Sequence, residues 1–233
     1  MNRTIVVIPT LNEYENVKIL LSKFVDVDVD VIFIDDNSTD LTDQIIKNDI
    51  NFEKKYFLIT RSSKKGYASA CIAGIDFGIK NNYKSIVQMD ADLSHSIEDL
   101  LNLLKFRKKS DVVIGSRYVK GGMIVGWGPF RKYLSYFANL TCRKLLKVNI
   151  SDFTSGFRVY DSKIFSEINL KKISAEGYSF LVEVIYKIHL KSFTITEVPI
   201  IFNDRKYGNS KLDKKVILDS IINLIRISTK GVN

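Results

Sequence analysis

The feature that most constrains the fold is an alternation of short strand-like runs with segments of helical periodicity along residues 4–114. The strand-like runs lie at residues 6–8, 31–34, 56–59, 85–87 and 112–114. Between them apolar residues recur every three or four positions, as in Val17, Leu20 and Phe24, which is typical of amphipathic helices. Repeated βα units of this kind predict an α/β fold with a mostly parallel sheet and helices on both faces.

Polar residues follow four of the predicted strands at the point where each strand ends. They lie at residues 9–13, 35–38, 90–92 and 115–117. Ligands of a parallel sheet bind beyond the carboxyl ends of its strands, so the four segments are expected to line one crevice. The sequence has neither a Gly-x-Gly-x-x-Gly after the first strand nor a phosphate-binding loop ending in Gly-Lys-Ser/Thr. This argues against a dinucleotide dehydrogenase and an ATPase, and it favours a nucleotide held by carboxylates and a metal.

Asp90 and Asp92 are the candidate metal ligands, since they lie one residue apart directly after a predicted strand. Two carboxylates at close range repel each other unless a cation lies between them. Mg²⁺ and Mn²⁺ are bound by carboxylate oxygens, often together with the phosphates of a substrate. The alternative is that the two aspartates only cap the helix predicted at residues 97–106, because Asp is a favourable N-cap residue. His95 and His189 are not expected to be metal ligands.

The net charge of +9 predicts anionic partners, which include phosphorylated substrates and an acidic membrane surface. Nucleic acid is not expected as a partner, because the chain has no helix-turn-helix or RNA-binding signature. Cys71 and Cys142 are too few and too far apart for a disulfide scaffold or a zinc site, which indicates a reducing, cytoplasmic compartment. We expect no signal peptide, and no transmembrane segment, because no apolar run approaches the roughly 18 to 20 residues that a membrane-spanning helix requires.

Residues 119–150 are predicted to form a mobile loop and a helix next to the site. Glycines at positions 121, 122, 126 and 128 flank the predicted loop. The helix predicted at residues 131–147 has basic residues at both ends and apolar and aromatic residues in the middle. This pattern is typical of a helix in a membrane interface, but an ordinary helix packed on the domain fits it equally well.

Arg117, Arg131 and Arg205 are candidate ligands of a phosphate group, because guanidinium binds phosphate oxygens with two hydrogen bonds and stays charged. Ser135 lies one helical turn after Arg131 and offers a hydroxyl on the same face. Surface salt bridges are the simpler alternative for each arginine. Other polar residues have two open interpretations: Lys65 neutralises a diphosphate or lies in a solvated turn, and Asp152 acts as a base or orients Arg158. Lys211 is a further candidate for the phosphate site.

Taken together, these segments resemble family-2 glycosyltransferases and, within them, the dolichol-phosphate (polyprenol-phosphate) mannose synthases. The match extends in order over nearly the whole chain and is carried by residues 7–13, 35–38, 89–95, 115–119, 121–122, 126–127, 131, 135, 138–139, 152–158, 177–180, 183 and 205–211. The resemblance implies a GT-A fold and the transfer of mannose from GDP-mannose to dolichyl or polyprenyl phosphate. One displacement at the anomeric carbon inverts its configuration, so a β-linked product is expected.

The resemblance also implies roles for individual residues. The donor nucleotide would be held by Pro9, Leu11, Glu13, Asp35, Asp36 and Asp90, with Lys65 beside them. Asp90 and Asp92 would place Mg²⁺ or Mn²⁺ on the diphosphate, and the catalytic set would be Asp90, Asp92, Arg117 and Asp152. From the chemistry of their side chains, rather than from the resemblance, we expect the acceptor phosphate to be bound by Arg117, Arg131, Ser135, Arg205 and Lys211.

The domain organisation expected from the sequence is a catalytic domain over residues 1–211 and an amphipathic helix over residues 212–233. Such a chain would work as a peripheral protein on the cytoplasmic face of a membrane, alone or with small membrane-spanning partner subunits. Three other functions remain open: a polyprenyl-phosphate glucosyltransferase that uses UDP-glucose or a related family-2 transferase, a catalytically silent nucleotide-sugar-binding subunit, and a basic nucleic-acid-binding protein.

Overall fold

A central β-sheet organises the protein in the computed structural model, which describes residues 3–63, 65–173, 175–205 and 222–228. Within these ranges the sheet has seven strands in the order β3-β2-β1-β4-β7-β5-β8. Their bounds are β1 Thr4–Thr10, β2 Asp30–Asp35, β3 Tyr56–Thr60, β4 Ser85–Gln88, β5 Val112–Ser116, β7 Arg158–Asp161 and β8 Ile195–Pro199. A smaller sheet pairs β6 Met123–Val125 with β9 Ile201–Asn203. The helices are α1 Tyr14–Phe24, α2 Thr42–Lys47, α3 Tyr67–Lys80, α4 Ile97–Phe106, α5 Pro129–Leu146 and α6 Gly177–Leu190.

The predicted mostly parallel sheet is confirmed. Strand β1 pairs in parallel with β2 and β4, β2 with β3, and β5 with β8. Strand β7 is the exception, since it runs antiparallel between β4 and β5. The sequence did not predict β7, because the strand has only four residues and begins with a fully buried arginine, Arg158, which interrupts the apolar pattern. Strand β8 lies at the edge of the sheet. Proline has no backbone N–H to donate between strands, and an edge strand tolerates this at Pro199.

Two apolar layers cover the two faces of the sheet. Helices α3 and α6 and the C-terminal half of α5 pack on the face that carries Ile5 and Val7. Helices α1 and α4 and Ile46 of α2 pack on the face that carries Val6 and Ile8. Consecutive strand residues point to opposite faces, so a continuous apolar run such as β1 is buried on both sides. The predicted helices on both faces are confirmed, and the whole carboxyl edge of the sheet is left for polar residues.

Helix α3 packs unusually close to the sheet because of its small residues. A Cβ atom added to Gly74 would lie 2.1 Å from Cγ1 of Val7, and one added to Gly78 would lie 3.0 Å from Cδ1 of Ile86. A larger side chain at Gly74 would therefore push the helix off β1. The close approach brings the first residue of α3, Tyr67, over the end of β4.

Helix α5 leaves most of its aromatic side chains in solvent. Phe130, Tyr133, Tyr136 and Phe137 are exposed, whereas Asn139, Cys142 and Leu146 are buried against the domain. The helix therefore packs through one narrow stripe and presents an apolar, aromatic face outward. Both interpretations of its sequence stay open, because the helix packs on the domain and also leaves apolar side chains exposed. Among the described residues, no helix combines the length and the apolar character needed to cross a membrane.

The predicted mobile loop contains a strand, because β6 pairs in parallel with β9. Its mobility stays a prediction. Most of the predicted C-terminal helix and Lys211 lie outside the described residues, so the domain division also stays a prediction. Residues 222–228 are helical, and Ile227 is buried in the core beside α6. Arg226 lies 3.7 Å from the buried carboxylate of Glu183, which ties this segment to α6.

Candidate active site

The polar segments that follow β1 and β2 lie side by side at the carboxyl edge of the sheet. Thr10, the last residue of β1, pairs with Asp35, the last residue of β2. Beyond the strands, the backbone N–H of Asn12 donates to Oγ of Ser38 at 2.8 Å, and Oδ1 of Asn12 accepts from the backbone N–H of Thr39 at 2.8 Å. Strand β4 ends beside β1, and β5 runs in the same direction, so all four polar segments lie at one edge. The four segments thus meet at one edge as expected, and a shared nucleotide crevice there stays a prediction.

Asp35 and Asp36 are buried and hold the backbone turns around the crevice. Asp35 accepts hydrogen bonds from the hydroxyls of Thr10 and Ser38 and from the backbone N–H of Ser38. Asp36 forms a buried ion pair with Arg61, with 2.5 Å between Oδ1 and Nη2. It also accepts from the backbone N–H groups of residues 65 and 66, at 2.8 and 2.9 Å. Both carboxylates therefore shape the crevice, and their contact with a nucleotide stays a prediction.

The other predicted donor residues lie at the end of β1 and at the start of α3. Pro9, Leu11 and Glu13 are partly exposed, so they are accessible from the crevice. Glu13 accepts a hydrogen bond from Nδ2 of Asn16 at 2.6 Å, which fixes its side chain at the start of α1. Lys65 is exposed next to the turn that Asp36 holds. Their positions are compatible with binding of the donor nucleotide, and this role stays a prediction.

Asp90 has two aromatic neighbours, and one of them is hydrogen-bonded to it. The hydroxyl of Tyr67 donates to Oδ1 of Asp90 at 2.9 Å, and Nε2 of His95 lies 3.8 Å from Oδ2. Burial raises the pKa of Asp90, but His95 and Tyr67, helped by Arg205, outweigh this effect, so the pKa lies below its ordinary value. Asp90 is therefore ionised at neutral pH.

Asp92 lies two residues after Asp90, at the same edge of the sheet. Its Oδ1 accepts from the backbone N–H of Ser94 at 3.1 Å, and its Oδ2 lies 3.5 Å from Nη2 of Arg205. The interpretation that Asp90 and Asp92 only cap the next helix is wrong, because Ser96 caps α4. The hydroxyl of Ser96 accepts from the backbone N–H of Asp99 at 3.0 Å.

The donor set fits a hard divalent cation completed by a substrate. Within the described ranges, no group of three or more His, Cys, Asp and Glu side chains could hold a metal ion. Asp90 and Asp92 would therefore supply carboxylate oxygens for only part of a coordination shell, and their role as metal ligands stays a prediction. Mg²⁺ is commonly bound by one or two carboxylates together with substrate phosphates and water, and Mn²⁺ favours the same oxygen ligands. His95 is buried and packs on the rings of Phe157 and Phe202, with its Nε2 3.8 Å from Oδ2 of Asp90, so its exclusion from the ligand set stays a prediction.

Arg117 and Asp152 form a buried, two-pronged ion pair. Nε of Arg117 donates to Oδ2 of Asp152 and Nη2 donates to Oδ1, both at 2.7 Å, and the backbone N–H of Arg117 adds a third bond at 3.0 Å. Burial raises the pKa of Asp152, but the Arg117 guanidinium outweighs it and the pKa lies below its ordinary value. The structure corrects the interpretation that Asp152 orients Arg158, because its ion-pair partner is Arg117. Its role as a base stays a prediction, and the lowered pKa argues against it. Arg158 donates instead to the carbonyls of Phe153 and Leu181.

The three candidate phosphate-binding arginines lie around Trp127 and Asp204. The guanidinium of Arg131 stacks 3.9 Å from the centre of the Trp127 ring, and that of Arg117 lies 5.6 Å from it. Asp204 accepts from Nη1 of Arg131 at 3.2 Å and from the backbone N–H of Arg205 at 3.1 Å. The structure thus brings together Arg117 and Arg205, which are 88 positions apart in the sequence.

Ser135 contacts the same cluster through Tyr118, whose hydroxyl lies 2.7 Å from Oγ of Ser135. The sequence patterns indicate no individual role for Tyr118, Trp127 or Tyr67. Trp127 had a usable signal, because it is the one tryptophan of the chain and lies between two glycines. For Tyr67 the sequence signal is limited to its place at the start of a predicted helix.

Two curated relatives match almost the whole chain. One is the undecaprenyl-phosphate mannosyltransferase of Micrococcus luteus, 34% identical over 226 residues, which cover 96% of this chain and 93% of that protein. The other is the polyprenol monophosphomannose synthase of Mycolicibacterium smegmatis, 34% identical over 236 residues, which cover 98% of this chain and 88% of that protein. The chain is thus similar along its full length to enzymes named for mannosyl transfer to polyprenyl phosphates.

Two solved structures share the fold. Glucosyl-3-phosphoglycerate synthase from Mycobacterium tuberculosis, in complex with Mn²⁺, UDP and glucosyl-3-phosphoglycerate, has a TM-score of 0.70 at 16% identity, covering 98% of this chain and 80% of that one. The mannosyltransferase PcManGT from Pyrobaculum calidifontis, in complex with GDP-Man and Mn²⁺, has a TM-score of 0.59 at 15% identity, covering 89% and 58%. These likenesses confirm the predicted GT-A fold. The glycosyl transferase family 2 model matches residues 5–168, and together with the two relatives this shows that the chain belongs to family 2 of the glycosyltransferases.

Proposed function

We propose that this protein transfers mannose from GDP-mannose to the phosphate of a dolichyl or polyprenyl lipid, with Mg²⁺ or Mn²⁺ as cofactor. One observation carries the proposal: Arg205 lies 3.5 Å from Asp92, which joins the acidic donor side to the arginine cluster. An enzyme that brings a sugar diphosphate to a lipid phosphate needs both sides within one crevice. The two relatives support the acceptor class and the sugar by their names, and PcManGT supports the donor.

On the donor side, Asp90 and Asp92 are the residues that would hold a divalent cation next to the donor diphosphate. A divalent cation in this position stabilises the charge that builds up on a leaving diphosphate. The chain itself contributes geometry, because Asp36 and Asp35 fix the turns that border the nucleotide. Holding two reactants in line lowers the entropic cost of their encounter, which is the main contribution of such a rigid site.

On the acceptor side, the chemistry needs little help from a base. A phosphate monoester has a second pKa of about 6, so it is largely a dianion at neutral pH and is already a nucleophile. This agrees with the ionised state of Asp152, whose role is to hold Arg117. Arg117, Arg131 and Arg205 bind the phosphate oxygens and orient them towards the anomeric carbon. A single in-line displacement then inverts the configuration, giving a β-linked product from an α-linked donor.

The lipid chain is placed by α5. Its exposed Phe130, Tyr133, Tyr136 and Phe137 lie on the helix that carries Arg131 and Ser135. Aromatic and apolar side chains with basic neighbours bind at the boundary between lipid headgroups and acyl chains. We therefore propose that α5 lies on the cytoplasmic face of a membrane, with the arginine cluster at the level of the lipid phosphate. Small membrane-spanning partner subunits are part of the same proposal.

The test is an assay with radiolabelled donors and a short polyprenyl phosphate in detergent, followed by extraction of the lipid. We expect label in the lipid phase with GDP-mannose and Mg²⁺ or Mn²⁺, and none after chelation by EDTA. Transfer from UDP-glucose alone would show a glucosyltransferase instead. Absence of transfer from either donor, despite nucleotide binding, would show a catalytically silent subunit.

Replacing Arg131 should weaken the acceptor more than the donor. Arg131 is partly exposed, so its guanidinium is available to a phosphate while it stacks on Trp127. A hydrogen bond to a charged group contributes about 1.5–3 kcal/mol, so Arg131→Ala should raise the KM for polyprenyl phosphate about 10- to 100-fold. Arg131→Lys keeps the charge without the two-pronged geometry, so its KM for polyprenyl phosphate should lie between those of the wild type and Arg131→Ala. A rise in the donor KM alone would contradict the acceptor role.

The emission of Trp127 should report acceptor binding directly. Trp127 is the one tryptophan in the sequence, it contacts two of the proposed phosphate ligands, and its Nε1–H is buried without a hydrogen-bond partner among the described residues. We expect polyprenyl phosphate to change the intrinsic fluorescence of the wild type, and to change that of Arg131→Ala only at much higher concentration. An identical response to the uncharged polyprenol would contradict phosphate recognition by this cluster.

A further inference from the structure

One tyrosine beneath the acidic pair has no role in the chemistry described so far. Tyr67 is the first residue of α3 and follows Gly66, whose φ of +86° makes the sharp turn into the helix. Asp36 holds this turn through the backbone N–H groups of residues 65 and 66. The turn aims the Tyr67 side chain at the end of β4, where its hydroxyl donates to Oδ1 of Asp90 at 2.9 Å.

A hydrogen bond from Gln88 fixes the direction in which the Tyr67 hydroxyl donates. Nε2 of Gln88 donates to the Tyr67 oxygen at 3.0 Å, so the tyrosine proton is directed to Asp90. Gln88 is completely buried, and its Oε1 accepts from the hydroxyl of Tyr160 at 3.3 Å. Arg158 in turn donates to Tyr160 at 3.4 Å. Buried polar groups are stable when each has a hydrogen-bond partner. The chain of hydrogen bonds formed by these side chains ends at the carboxylate of Asp90.

The loop between α5 and β7 closes over the same pair. A Cβ atom added to Gly156 would lie 2.8 Å from the Tyr67 oxygen and 3.1 Å from both carboxylate oxygens of Asp90. The backbone at Gly156 therefore lies directly against the Tyr67–Asp90 pair. Asp90 is thus enclosed by α3 on one side and by this loop on the other, which restricts the rotation of its carboxylate.

We propose that Tyr67 is a positioning residue that holds the Asp90 carboxylate in the orientation that binds the divalent cation. The inference rests on the proposed function, because it takes Asp90 as a metal ligand. Hydrogen-bond partners that orient a ligating side chain typically change metal affinity 10- to 100-fold when they are removed. Tyr67 needs no contact with the metal or with either substrate for this role.

The test compares two tyrosine-to-phenylalanine variants. Tyr67→Phe removes only the hydroxyl that bonds Asp90. Tyr83→Phe is the matched control, because its buried hydroxyl donates to Asp30 at 2.7 Å at the opposite end of the sheet. Free Mn²⁺ is measured by electron paramagnetic resonance in the presence of saturating GDP, and thermal unfolding is measured on the same samples. We expect at least tenfold weaker Mn²⁺ binding for Tyr67→Phe and unchanged binding for Tyr83→Phe.

Gln88→Met provides a second variant if Tyr67→Phe folds poorly. It removes the donor that orients the tyrosine hydroxyl and keeps a similar volume, so Mn²⁺ binding should weaken by a smaller factor. Wild-type affinity in a folded Tyr67→Phe protein would overturn the proposal, as would equal losses in Tyr67→Phe and Tyr83→Phe. If Tyr67→Phe weakens Mn²⁺ binding but the wild type transfers no mannose, the proposed reaction fails and the positioning role stands.

Discussion

Asp92→Ala is expected to lower the kcat of sugar transfer by about 100- to 1,000-fold while the fold survives. Asp92 does not cap α4, and its carboxylate is engaged by the backbone N–H of Ser94 and by Arg205 at the surface of the crevice. Its removal therefore costs the fold little but takes away half of the acidic pair. Losing one well-placed electrostatic group in an active site commonly raises the barrier by about 2.7–4 kcal/mol, which is a 100- to 1,000-fold lower kcat.

The measurement is kcat with saturating GDP-mannose and Mn²⁺, together with the thermal unfolding temperature. Asp76→Ala is a suitable control, because Asp76 lies on α3 away from the crevice and its ion pair among the described residues is a long 3.8 Å contact with Lys171. We expect the control to keep wild-type activity. Near wild-type activity of Asp92→Ala would overturn the assignment of Asp90 and Asp92 to the metal.

Arg117→Ala is expected to lower the free energy of unfolding by about 3–5 kcal/mol at neutral pH, because it leaves the fully buried Asp152 carboxylate without its charged partner. Chemical denaturation of both proteins measures this difference. Arg131→Ala is the control, since its ion pair with Asp204 is partly exposed, and it should cost about 1 kcal/mol or less. Equal losses in the two variants would contradict the structural role of the Arg117–Asp152 pair.

The effect should depend on pH in a defined direction. In the wild type the pKa of Asp152 is lowered on folding, so the pair contributes stability above about pH 4 and this contribution is lost at lower pH. In Arg117→Ala the buried carboxylate is unpaired and its pKa is raised on folding, so stability falls as the pH rises. The difference between the two proteins should therefore widen from acidic to neutral pH. Adding Asp152→Asn to the variant should recover part of the loss at neutral pH, and no recovery would count against this explanation.

This stability effect bears on how the acceptor site is tested. Loss of activity in Arg117→Ala would combine a damaged loop with a missing phosphate ligand. Arg131 separates the two, because its removal leaves the buried pair intact. The contrast between Arg117 and Arg131 is visible only in the structure, since both are single arginines near glycines in the sequence.

The sequence predicts those parts of the site that depend on strand order and local pattern. Asp90 and Asp92 could be placed at the sheet edge because apolar runs mark β1, β2, β4 and β5, and parallel strands bring their ends together. Helix α1 follows from the spacing of Val17, Leu20 and Phe24, and the structure adds only its first residues.

The parts that could not be predicted depend on long-range contacts. Asp152 meets Arg117 because β7 returns antiparallel beside β5, and a four-residue strand with a buried arginine carries no apolar signal. Tyr67 meets Asp90 because small residues let α3 approach β1 closely. In each case the partner is chosen by packing between elements distant in the chain, on which local periodicity carries no information.

The most direct test of the account is a crystal structure with GDP-mannose and Mn²⁺, with anomalous diffraction recorded at the manganese edge. We predict one anomalous peak bound by the carboxylates of Asp90 and Asp92 and by the donor diphosphate, with the arginine cluster facing the anomeric carbon. A manganese peak or a donor bound elsewhere would contradict the account.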